Sequence, residues 1–321
     1  MRAIVVNRNG GPEVLELEER PAPEPGPGQL LVEVGAVGVN YRDVYERVGM
    51  PGQTLPFVAG IEGAGTVRAV GPDVSGIAAG HRVGWVAAQG SYAEQVLVEA
   101  AKAVLLPDAV SDELAAAALL QGMTAHYLCT STHPVEAGET VLVHAGAGGV
   151  GLLLVQMVKH RGGRVIATTS TEEKAALVRA AGADEVIGYE GFAERVRELT
   201  GGEGVPVVYD GVGRATFEEG LGVLRRRGTM VLYGGASGPP LPFDTQRLMA
   251  GGSLWLTRPS LRDYTATREE LLWRAGEVFA WIAEDWLDVR IGGRYPLAEA
   301  RRAHEDLEGR STTGKLVLLP S

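Results

Sequence analysis

The chain has 321 residues, enough for two domains at about 100–200 residues each. Hydrophobic residues make up 45% and charged residues 22%, a globular balance that excludes disorder along most of the length. The formal charge of −10 argues against nucleic acid as a partner, and no apolar run approaches the roughly 18 residues of a membrane span, so no membrane partner is expected.

The start, Met1-Arg2-Ala3-Ile4-Val5-Val6, is too short for a signal-peptide core, and a cytoplasmic location is expected. The single cysteine, Cys129, excludes an internal disulfide and any multi-Cys metal cage. Of the thirty basic residues only Lys102, Lys159, Lys174 and Lys315 are lysine, and only Asn7, Asn9 and Asn40 are asparagine. That bias most simply reflects GC-rich coding or a thermophilic source. It gives extra weight to a Lys or Asn at a chemically interpretable position.

The first third reads as short Val-rich strands over residues 3–6, 15–18, 30–39, 64–70, 82–85 and 93–98. Turn clusters such as Asn9-Gly10-Gly11-Pro12 separate them, so a small barrel or sandwich is predicted. From Ser111 the rhythm changes. A helix opens at Ser111-Asp112-Glu113. Strands over 141–144, 164–169, 185–187, 207–210 and 229–233 then alternate with helices from about 149 and over 172–181, 192–199 and 215–224. This alternation predicts crossover units and a parallel sheet. The tail reads as a strand over 254–257, helices over 268–284 and 297–308, and a last strand over 316–319.

The segment Val141-Leu142-Val143-His144-Ala145-Gly146-Ala147-Gly148-Gly149-Val150-Gly151 is an apolar strand running into G-x-G-x-x-G and a helix. Gly146 allows the tight turn, Gly148 lets a pyrophosphate approach the backbone, and Gly151 lets helix and strand pack closely. The helix N-terminus offers free N–H groups to the phosphates. The strand-loop-helix context gives the motif its force.

The next strand should end near an adenosine ribose, where NAD-binding chains place an acid. Here Thr169-Ser170-Thr171 stand instead, and Lys174 follows. Hydroxyls and a cation suit a 2′-phosphate, so NADPH is the expected cofactor. Glu172 and Glu173 beside Lys174 weigh mildly against it. His144 reads as a satisfied core histidine, and His81, His133, His160 and His304 show no metal-ligand spacing.

The chain resembles the medium-chain dehydrogenase/reductases, and more narrowly the zinc-free NADPH:quinone oxidoreductases of the ζ-crystallin-like group. The resemblance spans essentially the whole chain. It is carried by Gly38-Val39-Asn40-Tyr41-Arg42-Asp43, Gly60-Ile61-Glu62-Gly63-Ala64-Gly65, Gln121-Gly122-Met123-Thr124-Ala125, the Gly146–Gly151 loop and Val208-Tyr209-Asp210-Gly211-Val212-Gly213. In the tail it rests on Thr257-Arg258-Pro259-Ser260-Leu261, Tyr295-Pro296-Leu297 and Ala303-His304-Glu305.

The resemblance implies an α/β fold: a doubly wound parallel Rossmann sheet plus a GroES-like, β-barrel-type catalytic domain. The expected boundaries are 1–118 with 259–321 for the catalytic domain and 119–258 for the dinucleotide-binding domain. In zinc enzymes of the superfamily a Cys stands where this chain has Asn40, and a His where it has Ile61. Neither residue replaces a thiolate or imidazole ligand, so no metal is expected. Hydride addition to a conjugated acceptor suits a metal-free site, because a quinone spreads the charge itself.

By resemblance, Asn40, Asp43 and Tyr45 form the catalytic segment, with Asn40 and Tyr45 orienting the carboxamide, a water or the quinone oxygen. NADPH is expected to contact Asn40, Thr124, Gly146, Gly148, Gly149, Val150 and Gly151. The 2′-phosphate end would meet Ser170, Lys174, Tyr189 and Arg310, and the nicotinamide half Ser237, Gly238, Pro259, Ser260 and Leu261. The family often has a further Tyr near the Gly49-Met50-Pro51 turn, where Pro51 stands.

Two other readings share these motifs: a zinc-free reductase of the C=C bond in an alkenal, enone or enoyl thioester, and a structural or RNA-binding protein that retains NADPH. The apolar edge strand at Gly251-Gly252-Ser253-Leu254-Trp255-Leu256-Thr257 needs covering, so a homodimer is expected.

Overall fold

A computed structural model describes residues 1–50 and 53–320. Pro51 therefore lies outside the described residues. The chain divides into two compact units, Met1–Leu120 with Thr267–Ser321, and Gln121–Ala266.

In the first unit, strands β1 (Arg2–Val6), β2 (Leu15–Glu19) and β3 (Gln29–Val39) lead into helix α1 (Tyr41–Arg47). Strands β4 (Phe57–Val58), β5 (Glu62–Val70), β6 (Arg82–Val86), β7 (Gln95–Glu99) and β8 (Ala103–Leu105) follow. β3 is the spine, pairing antiparallel with both β5 and β7. Its alternation buries Leu30, Val32 and Val34 against Val67, Val83 and Trp85. β1, β2 and β4 form a separate three-stranded sheet. Helix α2 (Asp112–Tyr127) contains the boundary at Leu120.

In the second unit, β9 (Thr140–Val143), α3 (Gly149–His160), β10 (Arg164–Thr168), α4 (Glu172–Ala180), β11 (Glu185–Ile187) and α5 (Phe192–Leu199) make the first half. The second half is β12 (Val205–Asp210), α6 (Phe217–Gly222), β13 (Leu224–Leu232), α7 (Gln246–Ala250), β14 (Trp255–Thr257) and α8 (Leu261–Tyr264). The parallel sheet has the order β11-β10-β9-β12-β13-β14, a doubly wound arrangement that reverses between β9 and β12. Its central strands are covered on both faces, which explains runs such as Val141-Leu142-Val143 and Val205-Pro206-Val207-Val208, all buried.

The chain then returns to the first unit through α9 (Arg268–Ala283), β15 (Ile291–Pro296), α10 (Ala300–Glu308) and β16 (Lys315–Leu319). Thr267 and Glu270 close a capping box at the start of α9. β16 pairs antiparallel with β3, Leu316 opposite Val39 and Val317 opposite Gly38. This register sets the start of the last strand beside the end of the strand that delivers Asn40.

Several expectations shift in the structure. The helix expected over 215–224 is confined to Phe217–Gly222, and β13 begins at Leu224 rather than at 229. The run Arg225-Arg226-Arg227-Gly228 disguises that start, and Arg227 takes a left-handed φ of 61° within it. The last strand begins at Lys315, one residue before the apolar run that signals it.

Candidate active site

In the first unit, β3 ends at Val39 and Asn40 caps α1. The Asn40 main-chain N–H donates to Asp43 Oδ2 at 2.8 Å, a local device that fixes the first helical turn. The Asn40 side chain is buried and its hydrogen bonds are largely spent. Nδ2 donates to Glu62 Oε2 at 2.8 Å and to the Gly38 carbonyl at 3.3 Å. Oδ1 accepts from Lys315 Nζ at 2.7 Å. Lys315 Nζ also pairs with Glu62 Oε2 at 2.6 Å, and these two side chains are 1% and 0% exposed. The other Glu62 oxygen accepts the Leu120 N–H at 2.6 Å.

A second chain of contacts runs from Asp43 toward the surface. Tyr92 donates its hydroxyl proton to Asp43 Oδ2 at 2.9 Å and lies 3.1 Å from His304 Nε2. His304 Nδ1 faces the Arg47 guanidinium at 3.5 Å, and Arg47 pairs with Glu308 at 2.7 Å. A guanidinium only donates. His304 Nδ1 must therefore accept, Nε2 must carry the proton and point it at Tyr92, and Tyr92 must point its proton at Asp43.

Burial sets the charge states. Desolvation pushes Asp43 up to about 7, against the Asn40 N–H, with the nearby Glu46 charge adding to the rise. Desolvation and then the Arg47 charge hold His304 down near 3, so the imidazole is neutral at pH 7. Tyr45 is half-buried one turn along α1 from Tyr41. Arg310 lies in this unit with a left-handed φ of 54°, close enough to oppose the upward push that burial exerts on Tyr41.

In the second unit, the switch point carries the glycine loop between β9 and α3. Ala145 takes a left-handed φ of 53° and opens the turn. Gly148 is the N-cap of α3 and has no side-chain cap, so the helix's first N–H groups depend on main chain, water or ligand. A Cβ at Gly151 would sit 2.8 Å from the Gly146 carbonyl oxygen and would press on the Ala145 carbonyl, so the close helix–loop approach requires glycine there. Gly149 lies against the Gln121 side chain, with Val150 next in the helix.

His144 is fully buried behind this loop. Its Nδ1 meets Thr168 Oγ1 at 3.0 Å, and its ring packs edge-on against Phe192 at 4.8 Å and stacks toward Tyr189 at 6.3 Å. Desolvation lowers it to about 4, with Asp210 opposing. Thr168 Oγ1 also receives the Ala145 N–H at 3.3 Å, so this pair supports the strained residue of the loop.

β10 ends at Thr168, and Thr169, Ser170 and Thr171 continue to the start of α4. Thr171 caps that helix by accepting the Lys174 N–H at 3.3 Å. Ser170 is exposed and Lys174 sits in the first turn. Thr124 is buried in α2. Ser237 is committed to the loops beyond β12 and β13. Its hydroxyl donates to the Val212 carbonyl at 2.7 Å and accepts the Ala215 N–H at 3.0 Å, and Gly238 follows with φ 97°. Pro259 and Ser260 lead into α8, which Leu261 opens.

The structure thus gathers Asn40 and Asp43 at one point of the first unit, and the Gly146–Gly151 loop, Ser170 and Lys174 along one edge of the second unit's sheet. Lys315, Glu62, Tyr92 and His304 were not among the expected site residues. Glu62 and His304 lie inside motifs that marked the resemblance, and Lys315 is one of only four lysines.

The family described as an alcohol dehydrogenase GroES-like domain matches residues 26–108, and that described as a zinc-binding dehydrogenase matches 149–270. Sheet order, glycine loop and β-rich unit together define a two-domain medium-chain dehydrogenase/reductase. The quinone oxidoreductase of Salmonella typhimurium is 45% identical over 99% of this chain and 99% of its own. The crystal structure of the Escherichia coli quinone oxidoreductase complexed with NADPH superposes with a TM-score of 0.98 at 43% identity, covering 100% of both chains. A 2-haloacrylate reductase from a Burkholderia species is 41% identical over 99% of this chain and 98% of its own. The chain belongs to the quinone oxidoreductase family of this superfamily.

Zinc does not suit the residues present. Asn40 and Ile61 supply neither thiolate nor imidazole, and the Asn40 amide is engaged by Lys315 and Glu62. Among the described residues, no group of three or more His, Cys, Asp or Glu could hold a metal ion. Nor is any helix among them long and apolar enough to cross a membrane.

Proposed function

We propose that this protein transfers hydride from NADPH to a quinone without a metal. The observation that carries the reading is the cofactor cradle of the second unit. A G-x-G-x-x-G loop at the sheet's switch point is followed by a β10 end that bears hydroxyls and a lysine in place of an acid. The relatives support it, being quinone oxidoreductases, one of them complexed with NADPH.

The main-chain N–H groups at the start of α3, with Gly146, Gly148, Gly149, Val150 and Gly151, would hold the pyrophosphate. Thr169, Ser170 and Lys174 would hold the 2′-phosphate, with Tyr189 and Arg310 as further contacts. Thr124, Ser237, Gly238, Pro259, Ser260 and Leu261 would line the nicotinamide half. When bound, NADPH supplies a hydride. The chain's own part is to position the acceptor and exclude water, with Asn40 and Tyr45 near the acceptor and Asp43 holding the α1 start.

Steady-state rates with NADPH against a panel of quinones and enals test this directly. Turnover of quinones is expected, and absence of turnover on every quinone overturns it. A second reading, reduction of an activated C=C bond, is favoured by the 41% identical 2-haloacrylate reductase and predicts turnover of enals alone. We also propose that a second copy covers the β14 edge, where Trp255 is 68% exposed and Leu256 38%.

A further inference from the structure

We propose that Glu62 and Lys315 are positioning residues whose buried ion pair locks the Asn40 amide in one orientation and leaves it only an acceptor toward a ligand. The inference rests on the reading of Asn40 as part of the reacting end of the site.

Two of the scarcest residue types in the chain meet here. An ammonium only donates and an ionised carboxylate only accepts. With Lys315 Nζ 2.7 Å from Oδ1 and Glu62 Oε2 2.8 Å from Nδ2, the amide has one permitted orientation. A flip would set NH₂ against ammonium and C=O against carboxylate. Both partners are themselves held. Glu62 Oε1 takes the Leu120 N–H at 2.6 Å, and Lys315 starts β16, which is zipped to β3 through Leu316–Val39.

Stability alone does not explain such a pair. Two charges with 1% and 0% exposure carry a desolvation cost that an apolar pair would avoid, so replacing both is often neutral or stabilising. What the pair does supply is direction.

The hydrogen-bond inventory then limits the ligand chemistry. Both Nδ2 protons are spent, on Glu62 and on the Gly38 carbonyl, and one Oδ1 lone pair is spent on Lys315. Oδ1, which also faces the Asp43 N–H in the capping box of α1, offers a ligand acceptor capacity alone and so recognises an N–H or O–H donor, such as a primary carboxamide, a water or a hydroxyl. It cannot donate to a carbonyl oxygen. Asn40 therefore orients a donor and does not polarise the acceptor's C=O.

The experiment uses the full chain labelled with ¹⁵N-asparagine, which gives only three side-chain amides, those of Asn7, Asn9 and Asn40. In wild type the Asn40 NH₂ should exchange at least about a hundred-fold more slowly than those of the exposed Asn7 and Asn9. In Glu62→Gln/Lys315→Met, that protection should fall at least about ten-fold while β3 and β16 backbone protection persists. The kcat/KM for quinone should fall at least about ten-fold, and adding Asn40→Ala to the pair should cost nothing beyond Asn40→Ala alone.

An Asn40 amide exchanging as fast as the exposed pair in wild type overturns the proposal, and that measurement stands even if the double variant does not fold. Full multiplication of the Asn40→Ala and pair effects also overturns it. A wild type inactive on every quinone but with a protected Asn40 amide overturns only the proposed function.

Discussion

Tyr92 donates its hydroxyl proton to Asp43 Oδ2 at 2.9 Å, tying a buried aromatic to the first turn of α1 across 49 positions of sequence. The bond serves the charged form of a carboxyl that burial pushes up to about 7. A raised carboxyl carries its stabilising contribution at low pH and loses it as pH rises toward 7. Tyr92→Phe removes a donor that opposes that rise.

The variant should therefore lose about 1–3 kcal/mol at pH 8, and clearly less at pH 5, where Asp43 is protonated. Urea unfolding at the two pH values checks this. An equal loss at both would show that Tyr92 acts through packing alone.

His144 tests the opposite sign. Burial lowers it to about 4, while the unfolded chain takes up the proton near 6.5. Stability from this group is present above 6.5 and drains as pH falls toward 4, at about 1.4 kcal/mol per pH unit. In His144→Phe the ring keeps its place against Phe192 but binds no proton. The stability difference between wild type and variant should shift by about 2 kcal/mol in the variant's favour between pH 6.5 and pH 5. A constant difference would mean that His144 takes up its proton in the fold as readily as in the unfolded chain.

Lys174 stands in the first turn of α4, just after the hydroxyls that end β10. A charge-assisted bond to a 2′-phosphate makes Lys174→Ala expected to weaken NADPH binding about ten- to a hundred-fold. NADH binding and the rate at saturating cofactor should change little, since the phosphate is remote from the hydride. Titration of both cofactors against both proteins decides it, and equal losses would make Lys174 structural.

The doubly wound order was legible because period, loop and helix agree at Val141–Gly151, and the Arg164–Thr168 strand ends where the alternation places it. That Asn40 and Asp43 meet at the start of α1 was legible from the motif after Val39. Their partners were not, since Lys315 comes from 275 residues away and His304 reaches Tyr92 across 212. No local pattern records a register such as Leu316 opposite Val39. The start of β13 was hidden by three arginines, residues that a strand tolerates where its side chains reach solvent.

Trp255 and Leu256 are exposed on edge strand β14, and the proposed second copy would cover them. Light scattering at micromolar concentration should give the mass of two chains. Trp255→Lys, which places a charge on that edge, should shift the population toward one chain while leaving the fold intact. A wild-type monomer would remove β14 as an assembly edge.

The proposed reaction is hydride transfer from NADPH to a quinone without a metal. The most direct measurement is quinone-dependent NADPH oxidation after exhaustive dialysis against a chelator, with zinc determined in the same sample. Full activity below about one-tenth equivalent of zinc, with NADPH preferred over NADH, is the expected result. Loss of activity on chelation, restored by one equivalent of zinc, would contradict it.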